Sequence, residues 1–267
     1  MTTKQLNIQK EDFISAGSSG NIYKIHYKNK LCVIKLAKNN NTSAILRNEA
    51  AIYKIIRGKC NYIPKFYEEG YYYNNLTNEE TFGIIIEYIP YKTLLDNSMY
   101  ITSKNINKIF KKILKILNYF HDHNLVIRDI KPDNFLYDPL TNKIWMIDLG
   151  LINFSPFKYS EVKNFTGTLR YISPRCHTHV NTYYDDIQSA IYSIIYCYYG
   201  YLPWKIIKLQ NESTKEYENK VKNIKEDTKF INMIQVFPEI YTIYNYVNNA
   251  TDLLTKPDYE MIFDLIN

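Results

Sequence analysis

Glycine is scarce, with 8 in 267 residues, and the four cysteines, Cys32, Cys60, Cys176 and Cys197, form no C-x-x-C pair and no ligand spacing with the histidines. These shortages exclude a collagen-like chain, a disulfide-stapled framework and a Cys/His zinc site, and they predict a reducing compartment. His121-x-His123 and His177-x-His179 add no metal signal, because residues two apart on a helix do not face each other. No apolar run of roughly 18 residues occurs, and residues 1–13 lack the apolar stretch of a signal peptide, so a soluble intracellular chain without a membrane span is expected. Charge of one sign is also modest. The 33 Lys+Arg and 27 Asp+Glu leave +6, too diffuse to point to a nucleic-acid partner. What the chain does have is 46% hydrophobic residues, enough to offset chain entropy over one domain or two lobes sharing a core, and 27 tyrosines.

Residues 13–35 read as strand, small-residue turn, strand, polar turn and strand, an antiparallel meander. A helix follows, capped by Thr42 or Ser43, running to about Arg57 and closed by Gly58. Its periodic face, Leu46, Glu49, Ala50, Tyr53 and Ile56, includes a carboxylate that is costly to bury unless a cation meets it. Residues 82–89 (FGIIIEYI) form a buried-strand pattern that Pro90 breaks, which places a lobe boundary there: 1–89 and 90–267. Helical spacing recurs over 104–121, a short apolar segment spans 143–147, and 186–199 is apolar nearly all round, as expected for a helix buried on every side. The remainder is coarsely helical.

The most informative stretches are VIRDIKPDNFLY at 126–137 and WMIDLG at 145–150. Asp129, Lys131 and Asn134 fall in one loop, and Asp148 opens a second just after a strand. Two carboxylates and an amide on such loops can divide the work of phosphoryl transfer. One orients a hydroxyl, the others hold a divalent metal on phosphates, and the lysine supplies charge to the moving group.

R-D-x-K-P-x-N followed by D-x-G resembles the catalytic and metal-binding loops of eukaryotic-type protein kinases. RDIKPDNFL, EAAIYKIIRG at 49–58, GTLRY at 167–171, YYDDIQS at 183–189, GYLPW at 200–204 and KPDY at 256–259 are similar to the casein kinase 1 superfamily, which includes the vaccinia-related kinases. The likeness runs from about Phe13 to the end of the chain. It implies an α+β, two-lobed protein kinase fold, with a small antiparallel β-rich N-lobe carrying one helix, a larger mainly helical C-lobe, and ATP with Mg2+ (or Mn2+) in the cleft.

Carried over residue by residue, the resemblance makes Lys35 the grip on the α- and β-phosphates, paired with Glu49, which supplies the cation that Glu49 needs. Asp129 would orient the substrate hydroxyl, Lys131 contact the γ-phosphate, Thr168 hydrogen-bond near Asp129, and Asn134 with Asp148 hold magnesium. The glycine-rich loop maps onto Ile14, Ser15, Gly17, Ser18, Ser19, Gly20 and Ile22, with Gly17 and Gly20 admitting phosphate to the backbone amides. Adenine would lie between Ile14, Ile22 and Val33 on one side and Leu136 and Ile147 on the other, its edge on the backbone of Glu87 and Ile89, with Ile86 as gatekeeper.

Three positions depart from the family pattern. Ser15 replaces the first loop glycine, Ile127 the histidine before Arg-Asp, and Leu149 the middle phenylalanine of the second motif. The expected activity is transfer from ATP to Ser or Thr of protein substrates. Arg170 implies a preference for acidic or pre-phosphorylated ones. The rivals are a kinase-like scaffold without transfer and a small-molecule phosphotransferase. A monomer in the cytoplasm is expected, and the tyrosine excess and compactness suit a virus-encoded kinase in host cytoplasm.

Overall fold

The computed structural model describes residues 4–6, 8–17, 20–56, 60–156 and 158–266. Ser18, Ser19 and the expected helix stop at Arg57 and Gly58 lie outside them. The chain divides into two compact units, Met1–Tyr91 with Trp145–Ile152, and Lys92–Ile144 with Asn153–Asn267.

The first unit holds β1 (Lys4–Leu6), β2 (Phe13–Ala16), β3 (Asn21–Tyr27), β4 (Lys30–Leu36), α1 (Asn40–Ile55), β5 (Phe66–Asn74) and β6 (Glu79–Glu87). They form one sheet in the order β1-β5-β6-β4-β3-β2. The meander of β2, β3 and β4 is antiparallel as expected, but β1, which no sequence pattern marks, adds a parallel edge beside β5. Lys28 and Asn29 both take positive φ (48° and 60°), giving the two-residue turn whose twist matches the strands of a tight hairpin.

Side chains alternate along β4. Cys32, Ile34 and Leu36 enter a core with Ile8, Tyr23, Ile25, Tyr72 and Ile85. Val33 and Lys35 therefore face the other way. Burial of each large side chain in such a core contributes about 1.5–3 kcal/mol.

α1 begins earlier than the sequence pattern predicts. Asn39, not Thr42 or Ser43, is the N-cap, its side chain accepting from the Thr42 amide at 3.0 Å. Asparagine is the stronger cap. Thr42 instead reaches back, its Oγ1 accepting from the amides of Lys38 (2.8 Å) and Asn39 (3.0 Å). β6 ends at Glu87, so Ile89 lies beyond the strand.

The second unit contains α2 (Ile106–His121), β7 (Leu125–Val126), β8 (Phe135–Asp138), the start of β9 (Lys143–Met146), β10 (Asn153–Phe154), α3 (Tyr183–Tyr199), α4 (Thr214–Lys225), α5 (Lys229–Ile234), α6 (Pro238–Asn248) and α7 (Tyr259–Leu265). α3 packs on α2 and α6 and is its axis. Every residue from Tyr183 to Ile195 is buried, as the all-round apolar pattern requires. It starts three residues before the expected Asp186, because Thr182 and Asp185 cap it reciprocally, with Asp185 Oδ2 accepting from the Thr182 amide and hydroxyl at 2.8 Å each. Gly200, at φ 77°, ends it in the left-handed conformation. Among the described residues no helix is long and apolar enough to cross a membrane.

Candidate active site

In the first unit, Lys35 is 4% exposed on β4, and its Nζ donates to Glu49 Oε1 of α1 at 2.7 Å. The carboxylate that the helical periodicity placed on an apolar face thus has its cation. Burial pulls the Lys35 ammonium down, but the charges of Glu49 and Asp148 outweigh it and leave its pKa raised. The Glu49 carboxyl is also pushed up, by burial first and by Asp148, against the opposing pull of Lys35. The two effects identify Asp148 as the third charge of this group.

Asp148 follows β9 with a positive φ of 62°, a conformation that costs a non-glycine residue of the order of 1–3 kcal/mol and persists only where the surroundings impose it. They do so here. Asn48 of α1 donates its amide to the carbonyls of Gly150 (2.9 Å) and Ile152 (2.8 Å), and a Cβ on Gly150 would come within 2.4 Å of the Ile45 side chain. The loop carrying Asp148 is therefore stitched to the helix that carries Glu49.

The glycine turn closes with the Gly17 amide donating to the Gly20 carbonyl at 2.9 Å. Gly20 has a structural reason to be glycine besides the expected phosphate approach. At φ 147° a Cβ would sit 2.2 Å from the Leu36 carbonyl oxygen. Ser15 is exposed on β2, opposite Ile22 of β3.

Of the residues expected around adenine, Val33 and Ile86 are buried and paired in register on β4 and β6. Ile22, Ile89 and Ile147 are half-buried, and Ile14 is exposed. The Glu87 amide is committed to the Lys65 carbonyl at 2.8 Å, so of that residue's two backbone groups the carbonyl is the one left to serve a ligand. Leu136 belongs to the second unit, half-buried on β8.

The second unit gathers Asp129, Lys131, Asn134 and Thr168. Asp129 is 7% exposed; its Oδ1 accepts from Thr168 Oγ1 at 2.7 Å, and its Oδ2 from Lys131 Nζ at 2.7 Å and Asn134 Nδ2 at 3.2 Å. Asn134 Nδ2 also donates to the Asp129 carbonyl at 2.9 Å, and Lys131 reaches Thr168 Oγ1 at 3.4 Å. Every residue expected in this loop is drawn onto one carboxylate. Arg128, next to Asp129 and inside the motif, also takes a positive φ, 70°. Gly167 packs against it so closely that a Cβ would lie 2.3 Å from the Arg128 carbonyl oxygen.

Sequence reasoning missed the support beneath this loop. Asp186 of α3, 1% exposed, accepts from the amides of Ile127 (2.6 Å) and Arg128 (2.9 Å) and pairs with His121 Nε2 at 3.1 Å. His121 Nδ1 in turn meets the Tyr259 hydroxyl at 2.8 Å. The signal was present, since an aspartate inside a helix apolar on all sides needs partners. The same contacts explain how Ile127 is accommodated. Its amide is held by Asp186 and its side chain is buried in the core.

Each unit by itself offers an oxygen donor of the kind a hard cation takes. In the second, Asn134 commits its amide nitrogen to Asp129 and retains a carbonyl oxygen. In the first, Asp148 carries a carboxylate.

The sequence profile of the protein kinase domain matches residues 8–260. The chain is 30% identical over 268 residues to the probable casein kinase I homolog of Encephalitozoon cuniculi, covering 93% of this chain and 84% of that protein. It is 28% identical over 255 residues to casein kinase I homolog 2 of Schizosaccharomyces pombe, and 29% over 257 to homolog 1 of the same yeast. It spans 90% of its own length in both matches, but only 56% and 55% of those two proteins. With the α+β architecture and the motif residues in place, the chain belongs to the protein kinase domain family and is of the casein kinase I type.

Proposed function

We propose that this chain is a catalytically active serine/threonine protein kinase rather than a kinase-like scaffold. The observation that carries the reading is the hydrogen-bond set on Asp129, in which Thr168, Lys131 and Asn134 each take a share of one carboxylate. In the proposed reaction a substrate hydroxyl attacks the γ-phosphorus of ATP. The bond from that phosphorus to the β,γ-bridging oxygen breaks, ADP leaves, and the hydroxyl proton passes to Asp129. Lys131 neutralises charge on the transferring group, and Lys35, fixed by Glu49, grips the inner phosphates. Asn134 and Asp148 would hold magnesium, whose charge polarises the phosphates when bound. Lys131, two residues after Asp129, favours Ser/Thr over Tyr acceptors by family resemblance.

Arg170 is exposed and its guanidinium lies over the Tyr196 ring at 4.9 Å, a fixed cation suited to an acidic or phosphorylated substrate segment. The scaffold reading draws on Ser15 and Ile127, yet neither removes a charged group from either constellation. The test is transfer of labelled γ-phosphate to casein and to a basic acceptor protein by the purified chain with ATP and magnesium, beside Lys35→Met. Incorporation that Lys35→Met abolishes supports the proposal. An ATP-dependent thermal shift without incorporation supports the scaffold.

A further inference from the structure

Lys225 ends α4, far in sequence from every motif, and is 1% exposed. A lysine is almost never buried so completely unless its ammonium is used. Its Nζ donates to the carbonyls of Leu169 at 2.6 Å and Ile172 at 2.7 Å and lies 3.5 Å from His177 Nε2. The rings of Trp204 and Tyr192 lie beneath it, with centroids at 5.4 and 5.9 Å. The two carbonyls belong to the turn that begins at Thr168, whose amides at Tyr171 and Ile172 return to the Thr168 carbonyl at 2.8 and 3.1 Å. Trp204 Nε1 donates to the carbonyl of Arg170 in the same turn at 2.7 Å. Lys225 thus closes the segment that places Thr168 on Asp129.

We propose that Lys225 is a positioning residue for phosphoryl transfer: its ammonium grips the turn at 169–172 and thereby holds Thr168 against Asp129, so that turnover depends on whether Nζ carries its proton. The inference rests on the kinase reading above.

Among the described residues no carboxylate bonds Nζ. Burial lowers its pKa to about 7, with a weaker opposing pull from Cys176. Burial and the lysines at 225, 222 and 215 hold His177 down at about 3, so it stays neutral at physiological pH and keeps one ring nitrogen free of a proton to accept from Nζ. Burial keeps the Cys176 thiol and Tyr192 well above their ordinary values. Lys225 also lines a cavity of 440 Å3 with Arg175, His179, Lys222, Glu226 and Asp227, and with Tyr159 and Tyr244, which gives protons a way in. The protonated amine has three donors for its three neighbours, and charge-assisted bonds are about twice as strong as neutral ones, so the grip loosens as the proton leaves.

The signs for stability and turnover are opposite. A depressed folded-state pKa means that above pH 7 the unfolded chain binds more protons, so Lys225's contribution to stability rises with pH up to its ordinary value of about 10.4. Turnover, by contrast, should fall over the same range. A purely structural lysine would move both together.

The experiment is kcat and KM for a protein acceptor from pH 6 to 9, in wild type, Lys225→Met and Lys225→Arg. Wild type should lose about ten-fold in kcat above pH 7. Lys225→Met should start about ten- to a hundred-fold lower, the equivalent of one charge-assisted hydrogen bond, and lack that fall. Lys225→Arg, always charged, should recover activity at pH 6 and keep it at pH 9. Coincident pH profiles for wild type and either variant overturn the proposal. If Lys225→Met does not fold, the arginine profile alone decides. If wild type transfers no phosphate, the kinase reading fails separately. The grip is then judged by amide hydrogen exchange at residues 169–172 of wild type, corrected for intrinsic rates. Protection that falls as pH rises from 6 to 9 supports it, and constant protection overturns it.

Discussion

Breaking the Lys35–Glu49 pair should be among the costliest single changes to the first unit. The partners are 2.7 Å apart with side chains 5% and 0% exposed, so removing either leaves a charge in a medium that cannot solvate it. Breaking a buried pair in this way costs about 3–5 kcal/mol, a large part of the roughly 5–15 kcal/mol that holds a domain together. For chains of this size about 2–4 °C is lost per kcal/mol, so Glu49→Leu should melt roughly 10 °C lower. Lys35→Met should cost less in acid than in neutral solution. Without Lys35, burial and Asp148 push the Glu49 carboxyl further up, and protonation then removes the stranded charge. A raised carboxyl contributes stability below its ordinary value of about 4.3 and loses it as pH climbs through the folded-state pKa, so the deficit grows from acid to neutral pH. The double variant Lys35→Met/Glu49→Leu, which strands neither charge, should recover most of the loss, with a coupling energy of about 3 kcal/mol. Urea denaturation of the four proteins at acid and neutral pH measures this. Additive single losses, or a Lys35→Met deficit that does not shrink in acid, would refute the electrostatic argument.

Gly20→Ala sets a Cβ 2.2 Å from the Leu36 carbonyl in a backbone conformation that L residues avoid, and should cost about 2–3 kcal/mol by denaturation. An unchanged melting temperature would show that the turn relaxes freely. Asp186→Ala strands the amides of Ile127 and Arg128 and the His121 ring, buried donors that now share one carboxylate. It should lower stability by about 3–5 kcal/mol and kcat by more than ten-fold, with KM for ATP little changed. A kcat equal to wild type would sever Asp186 from the catalytic loop.

The two motif loops and the ion pair were legible because their chemistry constrains residue type at fixed spacing. Glu49 announced itself as a carboxylate on an apolar helix face, and Lys35 answers it at bonding distance. The helices with strong periodicity were legible too, α3 above all. Strand β5 was not. FYEEGYYYN has adjacent acids where alternation would be expected, since a register shift between Phe66 and Glu68 breaks the two-residue period. β1 is three residues with no pattern of its own, formed because the free edge of β5 accepts it. Asp186, whose place in an apolar helix signals a need for partners without naming them, and Lys225 escaped for a different reason. Their partners are backbone groups 50 or more residues away, and no periodicity encodes a main-chain carbonyl or amide in need of a side chain.

If Asp129 serves the acceptor hydroxyl while a separate set of groups holds the nucleotide, one substitution should part transfer from binding. Labelled-phosphate transfer by Asp129→Asn, run beside a thermal-shift titration with ATP and magnesium, measures both halves on one sample. Incorporation should fall by about 100- to 10,000-fold, the usual contribution of a positioned proton acceptor, with the ATP-induced shift preserved. Incorporation at the wild-type rate, or loss of the ATP shift along with activity, would contradict it.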